Sequence, residues 1–255
     1  KITNGINAIH FTRALRADKR RSGLLYCGTE YGMYISYDDG ANWKPFQLNL
    51  PMVPITDLTI KENDLIVATQ GRAFWVLDDL TPVQQKDISI LDKKLFAFSV
   101  NDVYRYDGFQ ISNPKNAGMN PPNGSVINYY VKNISDSAKV SIDILDKNKK
   151  LIKSFSTKAK EKENMIDVSA GMNQFVWNML YPPAEKVDGQ IIWHGTVPGP
   201  KAAPGQYFYK IKVDKDSVEG SFHIKARPLY NFSHQDYEAR VNLRIGVRDR
   251  LHDIQ

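Results

Sequence analysis

The chain has 255 residues, 42% hydrophobic and 24% charged, with a net charge of +6 and a single cysteine. That balance belongs to folded chains with real cores and excludes disorder. No apolar run approaches the eighteen or so residues of a spanning helix, and one cysteine excludes an internal disulfide. The positive charge is no nucleic-acid signature, because the lysines of "DKNKK" and "KAKEKE" alternate with acids or sit on hairpin-like tips and read as solvated surface.

In chain order, the opening "KITNGINAIHF" lacks the apolar core of a signal peptide, and "INAIHF" reads as a strand entered abruptly. A mature fragment or a piece of something longer is expected. Next, "LYCGTEYGMYISYDDG" (25–40) aligns without gaps on "LIVATQGRAFWVLDDL" (65–80), an offset of forty residues. Leu25 and Leu65, Thr29 and Thr69, Asp38 and Asp78, and Asp39 and Asp79 are identical, and Tyr34 faces Phe74. Each copy follows a short apolar segment, "INAIHF" or "ITDLTI", and reads strand, tight turn, strand, turn. A four-stranded antiparallel meander with a period of about forty residues is the unit of β-propeller blades. Cys27, inside "LLYCGT", reads as a buried core thiol.

The stretch "SYDDGANW" (36–43) admits two readings. Adjacent aspartates could be a catalytic acid pair, but such pairs face each other across about 5–9 Å from separate parts of a chain, whereas neighbours on a strand point apart. The alternative is a structural clasp. Ser36 and Asp38 supply acceptors for turn N–H groups, Gly40 tolerates positive φ, and Trp43 folds back as a lid.

Ser-x-Asp-x-Gly-x-x-Trp over 36–43 resembles the Asp-box, or BNR repeat, of sialidases, xyloglucanase-type glycoside hydrolases and sortilin (Vps10) propellers, where the box is structural. The second copy keeps Asp78 and Asp79 but has Val76, Leu80 and Val83 at the serine, glycine and tryptophan positions, and looks like a degenerate terminal blade. More narrowly, "LLYCGTEYGMYISYDDGANWKPFQLNLP" and "DLIVATQGRAFWVLDDLTP" resemble a bacterial family of large sortilin-like propeller proteins often called glycosyl hydrolases. Members usually read Thr-His-Gly-Arg where this chain has Thr69-Gln70-Gly71-Arg72. The propeller reading puts the Asp-box on one face of the disc. The loops "GTEYG" and "TQGRA" then lie on the other, with Glu30, Tyr31, Gln70 and Arg72 as a polar ligand-binding surface. The plainer reading has Arg72 paired with a neighbouring loop and Glu30 solvated.

After "WVLDDLTP" the pattern changes. "KLFAFSVNDVYRY" gives two extended pieces that finish or flank the propeller, and the Gly-, Pro- and Asn-rich 107–124 reads as a linker. From 125 to 226, "SVINYYV", "KVSIDILD", "LIKSFS", "NQFVWNM", "QYFYKIKV" and "EGSFHIK" predict an antiparallel sandwich of immunoglobulin type. "AGMNQFVWNM" with "APGQYFYKIKVD" resembles the Ig-like domain of flagellar hook-cap proteins. Within the sandwich, 180–200 is a long loop whose Trp193 either stacks on a sugar ring or wedges the sandwich against the propeller. His194 has no partner at metal-ligand spacing, and no metal or cofactor is expected. In 227–255, "SHQD" is a capping box, with Ser233 as N-cap and Asp236 at the third helical position. Tyr237, Val241 and Ile245 then recur every four residues beside a row of Arg240, Arg244 and Arg248. With no stop signal through Leu251 and Ile254, the helix is expected to dock on a part not included in the sequence.

No nucleophile elbow, phosphate loop, zinc motif or dinucleotide fingerprint is present. The expectation is therefore all-β: propeller blades and flanking strands (1–106), a linker (107–124), an Ig-like sandwich (125–226) and a C-terminal helical segment (227–255). The resemblance implies a non-catalytic binding and structural portion of a secreted, periplasmic or cell-surface bacterial protein. Its ligands would be glycans or peptides, and its first partner the remaining propeller blades. The alternative is a fragment of a BNR-repeat glycoside hydrolase whose catalytic residues lie mostly in blades outside this sequence; sortilin-style docking of a peptide on the strands inside the propeller is a third reading.

Overall fold

The structure, a computed structural model, describes residues 2–106, 118, 120–135, 137–184, 198–229 and 231–253. The chain is all-β apart from one long C-terminal helix and short helical turns, and divides into two compact units, Lys1–Lys86 and Asp87–Gln255.

The first unit is two antiparallel meanders. Strands β1 (Thr12–Ala17), β2 (Leu25–Thr29), β3 (Gly32–Ser36) and β4 (Lys44–Pro45) form one, and β5 (Ile55–Lys61), β6 (Asp64–Thr69) and β7 (Phe74–Leu77) the other, each strand beside its sequence neighbour. β2 and β3 are buried along their whole length, which is why "LYCGT" and "GMYIS" lack the alternation of a half-exposed strand. One face of the first meander, with Tyr26, Met33 and Ile35, packs on Ile55, Leu58, Ile60, Leu65 and Val67 of the second. The opposite face, with Leu25, Cys27 and Tyr34, is closed by Trp43 and Ile6. Burial alone pushes the Cys27 thiol up to about 11, which leaves it a protonated core group. Gly28 sits where the meanders meet: a Cβ there would lie 2.5 Å from Ile55 Cγ2, so only glycine admits this approach.

Three expectations change. The first strand is not "INAIHF" but Thr12–Ala17. Asn7 accepts from the Ile9 N–H (3.2 Å), and its carbonyl accepts from the His10 N–H (2.9 Å), so a local turn competes with the strand, and Ile9 and Phe11 stay exposed. The gap-free repeat slips by one residue. Register pairs Cys27 with Tyr34 but Val67 with Trp75, so Trp75, not Phe74, is the counterpart of Tyr34; the second hairpin loop (70–73) is longer than the first (30–31). Finally, among the described residues the second meander has no fourth strand. The chain instead enters a one-turn helix, α1 (Thr81–Gln84), with Pro82 in its first turn, where a missing N–H is tolerated and a ladder donor is lost.

The second unit is a two-layer sandwich. A short helix, α2 (Ile88–Asp92), leads into β8 (Leu95–Ala97), β9 (Val103–Tyr104), β10 (Ser125–Val131), β11 (Val140–Leu145), β12 (Leu151–Ser156), β13 (Gly171–Trp177), β14 (Gly205–Val213) and β15 (Asp216–Lys225). The sheets run β13-β10-β8 and β12-β11-β14-β15-β9. Alternate residues point inward, among them Ile127, Tyr129 and Val131, Val140, Ile142 and Ile144, and Tyr207, Tyr209 and Ile211 around the fully buried Trp177. All six predicted strands are present, "SVINYYV" and "LIKSFS" residue for residue. The two extended pieces expected beside the propeller belong here: β8 pairs with β10, and β9 runs parallel to β15.

The last helix, α3 (His234–Asp253), starts as the capping box requires. Asp236 N–H donates to Ser233 Oγ (3.2 Å), and Ser233 N–H donates to Asp236 Oδ2 (2.9 Å). Its stripe of Tyr237, Val241 and Ile245 packs on Tyr181, Ala203 and Ala226 of the sandwich, so its apolar face docks within the chain rather than on a part outside it. The buried Arg105 guanidinium lies 5.5 Å over the Tyr237 ring and donates through Nε to the Ala202 carbonyl (3.0 Å).

Candidate binding surface on the first unit

The two ends of the first unit differ in chemistry. At one end lies the turn after β3. Ser36 Oγ, on a residue 1% exposed, donates to Asp38 Oδ1 (2.8 Å) and accepts from Gly40 N–H (2.9 Å). Asp38 Oδ1 also accepts from Asn42 N–H (2.8 Å), and its Oδ2 accepts from Asn42 Nδ2 (2.7 Å). Asp39 (φ 57°) and Gly40 (φ 87°) make the reversal, and Trp43 folds beneath it, donating from Nε1 to the Ile2 carbonyl (2.9 Å). Both Asp38 oxygens are thus committed to the turn. The bonds from the Asn42 side chain, Asn42 N–H and Ser36 hold its carboxyl below the usual range, the reverse of what a general acid needs.

The second turn keeps the reversal with other residues. Asp79 has the same φ of 57°, but its N–H donates to Asp64 Oδ1 (2.9 Å) and its Oδ1 accepts from Asn63 Nδ2 (2.9 Å) and Thr81 N–H (3.0 Å). Burial, together with the Asp64 and Asp79 charges, pushes the Asp78 carboxyl above its usual value. The same end holds Asp18. Burial works to raise its pKa, yet bonds from Gln84, the Arg21 and Arg20 N–H groups and Tyr26 outweigh that, and the carboxyl lies below its usual value. Tyr37 faces the Arg21 guanidinium at 4.8 Å. Most polar groups at this end are bonded to one another, although the buried Asn63 Oδ1 has no hydrogen-bond partner among the described residues.

The opposite end carries the hairpin tips 30–31 and 70–73. They share that end because Gly28 approaches Ile55, whose register partner is Thr69. Glu30 is ion-paired with Arg13, so its carboxylate is not simply solvated. Tyr31 is 47% exposed, and its ring stacks on His10 (4.7 Å between centroids, 23° between planes). His10 is held in turn by the hydroxyl of buried Tyr34, 2.9 Å from Nδ1. Thr29 Oγ1 fixes the tip by accepting from the Tyr31 N–H (3.1 Å) and donating to the Gly32 carbonyl (2.9 Å). Gln70 and Arg72 are exposed on the other tip, where the Arg72 carbonyl accepts from Trp75 Nε1 (2.9 Å). No bond links any two of these four side chains, and among the described residues Arg72 is not paired with a neighbouring loop. Trp193, with His194, lies outside the described residues.

Sequence reasoning missed His10 and Arg13, which orient Tyr31 and Glu30. Both precede the repeat, His10 within the segment read as the first strand and Arg13 just after it, and the pairing of β1 with β2, which sets Thr12 opposite Thr29, brings them to this tip. Among the described residues no cluster of His, Cys, Asp or Glu is arranged to hold a metal ion, and no helix is long and apolar enough to cross a membrane.

No protein-family model matches the chain, and no curated protein matches it. Among solved structures it is similar to CopC from Methylosinus trichosporium OB3b, at 16% identity over 44% of this chain and 82% of that one, with a TM-score of 0.22. It is also similar to dimeric latent PorU from Porphyromonas gingivalis, at 14% identity and a TM-score of 0.26, covering 89% of this chain but 17% of that one. At these TM-scores neither likeness bears on fold or function.

Proposed function

We propose that the first unit is the terminal pair of blades of a larger Asp-box propeller in a secreted or cell-surface bacterial protein, with the sandwich and helix appended as a structural module. The chain then works as a non-catalytic binding portion whose ligand, a glycan or peptide, meets the hairpin tips bearing Glu30, Tyr31, Gln70 and Arg72.

One observation carries this reading. The first meander packs on the second through the face holding Tyr26, Gly28, Met33 and Ile35. Register places Ile66, Ala68, Phe74 and Val76 at the same four positions of the second meander. These are apolar again, with the small Ala68 at the close-approach position, yet Phe74 is 76% and Val76 52% exposed. A stack whose last sheet repeats the contact face of the one before it is open to another sheet, as repeat architectures require. The tied-down Asp38 carboxylate favours a clasp over a catalytic acid.

The test is twofold. Protein from its native source should be longer than the 29.0 kDa chain or carry a fragment that supplies further repeats. On glycan and peptide arrays, Tyr31→Ala, Glu30→Ala and Arg72→Ala should each weaken any ligand the assembled protein binds. Unchanged affinity in all three would reject the hairpin tips as the site.

A further inference from the structure

Helix α3 uses one narrow stripe to dock, and its outward face carries a second, exposed apolar line. Opposite Tyr237, Val241 and Ile245 stand Leu243 and Val247, which are 70% and 53% exposed. Their four-residue spacing puts both on one line along the helix, about 6 Å apart. Scattered surface leucines need no explanation, but this pair is aligned and flanked. At 100° per residue, Arg250 lies on one side of the line, with Arg240 and then Arg244 on the other. All three are exposed, and among the described residues none has a hydrogen-bond or ion-pair partner. Arg248, on the docked side, is by contrast tied to Asp249 and to the Pro182 carbonyl.

We propose that this face binds an amphipathic helix whose apolar ridge is flanked by glutamate or aspartate. The apolar line between two basic margins is half of a helix-pair seam in which flanking charges select the partner. A strand would not match the four-residue spacing, and a partner with basic margins would set like charges against Arg240, Arg244 and Arg250. The acids on the helix whose side chains are described do not reverse this sign. Asp236 is bound in the cap, Glu238 is paired with Lys147 and His234 on the docked side, and Asp249 is paired with Arg248. Two aliphatic anchors on an exposed helix make a weak site, so the partner dissociates readily unless tethered.

The test uses the full chain and two three-heptad peptides that share a leucine ridge, one with glutamate at every flanking position and one with lysine. In fluorescence anisotropy at low salt the glutamate peptide should bind and the lysine peptide should not, with the preference fading at high salt. Leu243→Ser with Val247→Ser should weaken binding by about tenfold or more. Arg240→Glu with Arg244→Glu should transfer the preference to the lysine peptide. All four positions are exposed, so helicity by circular dichroism should not change, and a loss of binding cannot be ascribed to unfolding. Equal affinity for the two peptides, binding of neither, or indifference to the serine pair would overturn the proposal. So would tighter binding to phosphatidylglycerol vesicles than to the glutamate peptide, which would make the face a membrane contact.

Discussion

Ser36 is the residue on which the β3 turn depends. Its hydroxyl serves the Gly40 N–H and Asp38 together, away from water. Ser36→Ala leaves that N–H without a partner and should lower the stability of the first unit by about 1–3 kcal/mol in urea titration. Titration follows from the two lowered carboxyls. Asp18 and Asp38 both lie below 3.8 in the fold, so their contribution is present above pH 3.8 and lost as the pH falls through their folded values. Asp78 carries the opposite sign, because a raised pKa means that its charge is disfavoured in the fold. Asp78→Asn should therefore raise Tm at neutral pH, and the gain should vanish below pH 3.8, where the carboxyl is protonated in both states. The turn was legible in the sequence because its chemistry is local: Ser, Asp, Gly and Trp act within eight residues. The His10–Tyr31 stack was not, because nothing in "INAIHF" says that a turn at Asn7 will swing the imidazole onto a hairpin tip twenty-one residues later.

At the scale of elements, Gly28 and Ile55 mark the contact between the meanders. Gly28→Ala should overpack it by about 1–3 kcal/mol. Ile55→Ala in the same chain should recover part of that loss, a coupling that a double-mutant cycle would measure and that independent sites would not show. Strands of the sandwich were readable to within a few residues, helped in β11 and β14 by an alternation that runs the length of the strand. Strand β1 was not: "TRALRA" has one buried residue, Ala14, and is a strand because β2 pairs with it, not because of its own pattern. The missing fourth strand of the second meander was signalled by Pro82. Ser233→Ala should loosen the first turn of α3 by about 1 kcal/mol and leave the sandwich intact.

At the scale of the molecule, the two units should behave differently when separated. The sandwich encloses its own core around Trp177, so a fragment of residues 87–255 should unfold cooperatively by itself. The first unit leaves Phe74 and Val76 uncovered on the face that its own repeat uses for packing, so a fragment of residues 1–86 should be marginal or self-associating. The sequence repeat pointed to stacked meanders, while the open face became visible only once register had shifted the second hairpin by one residue. The most direct measurement is the mass of the intact chain in solution against concentration, by size exclusion with light scattering, for the unaltered protein and for Phe74→Lys with Val76→Lys. An open stack predicts association of the unaltered chain that the lysine pair abolishes. A monomer of 29.0 kDa at every concentration, unfolding cooperatively and indifferent to the two lysines, would show that the first unit is complete as it stands and would contradict the propeller account.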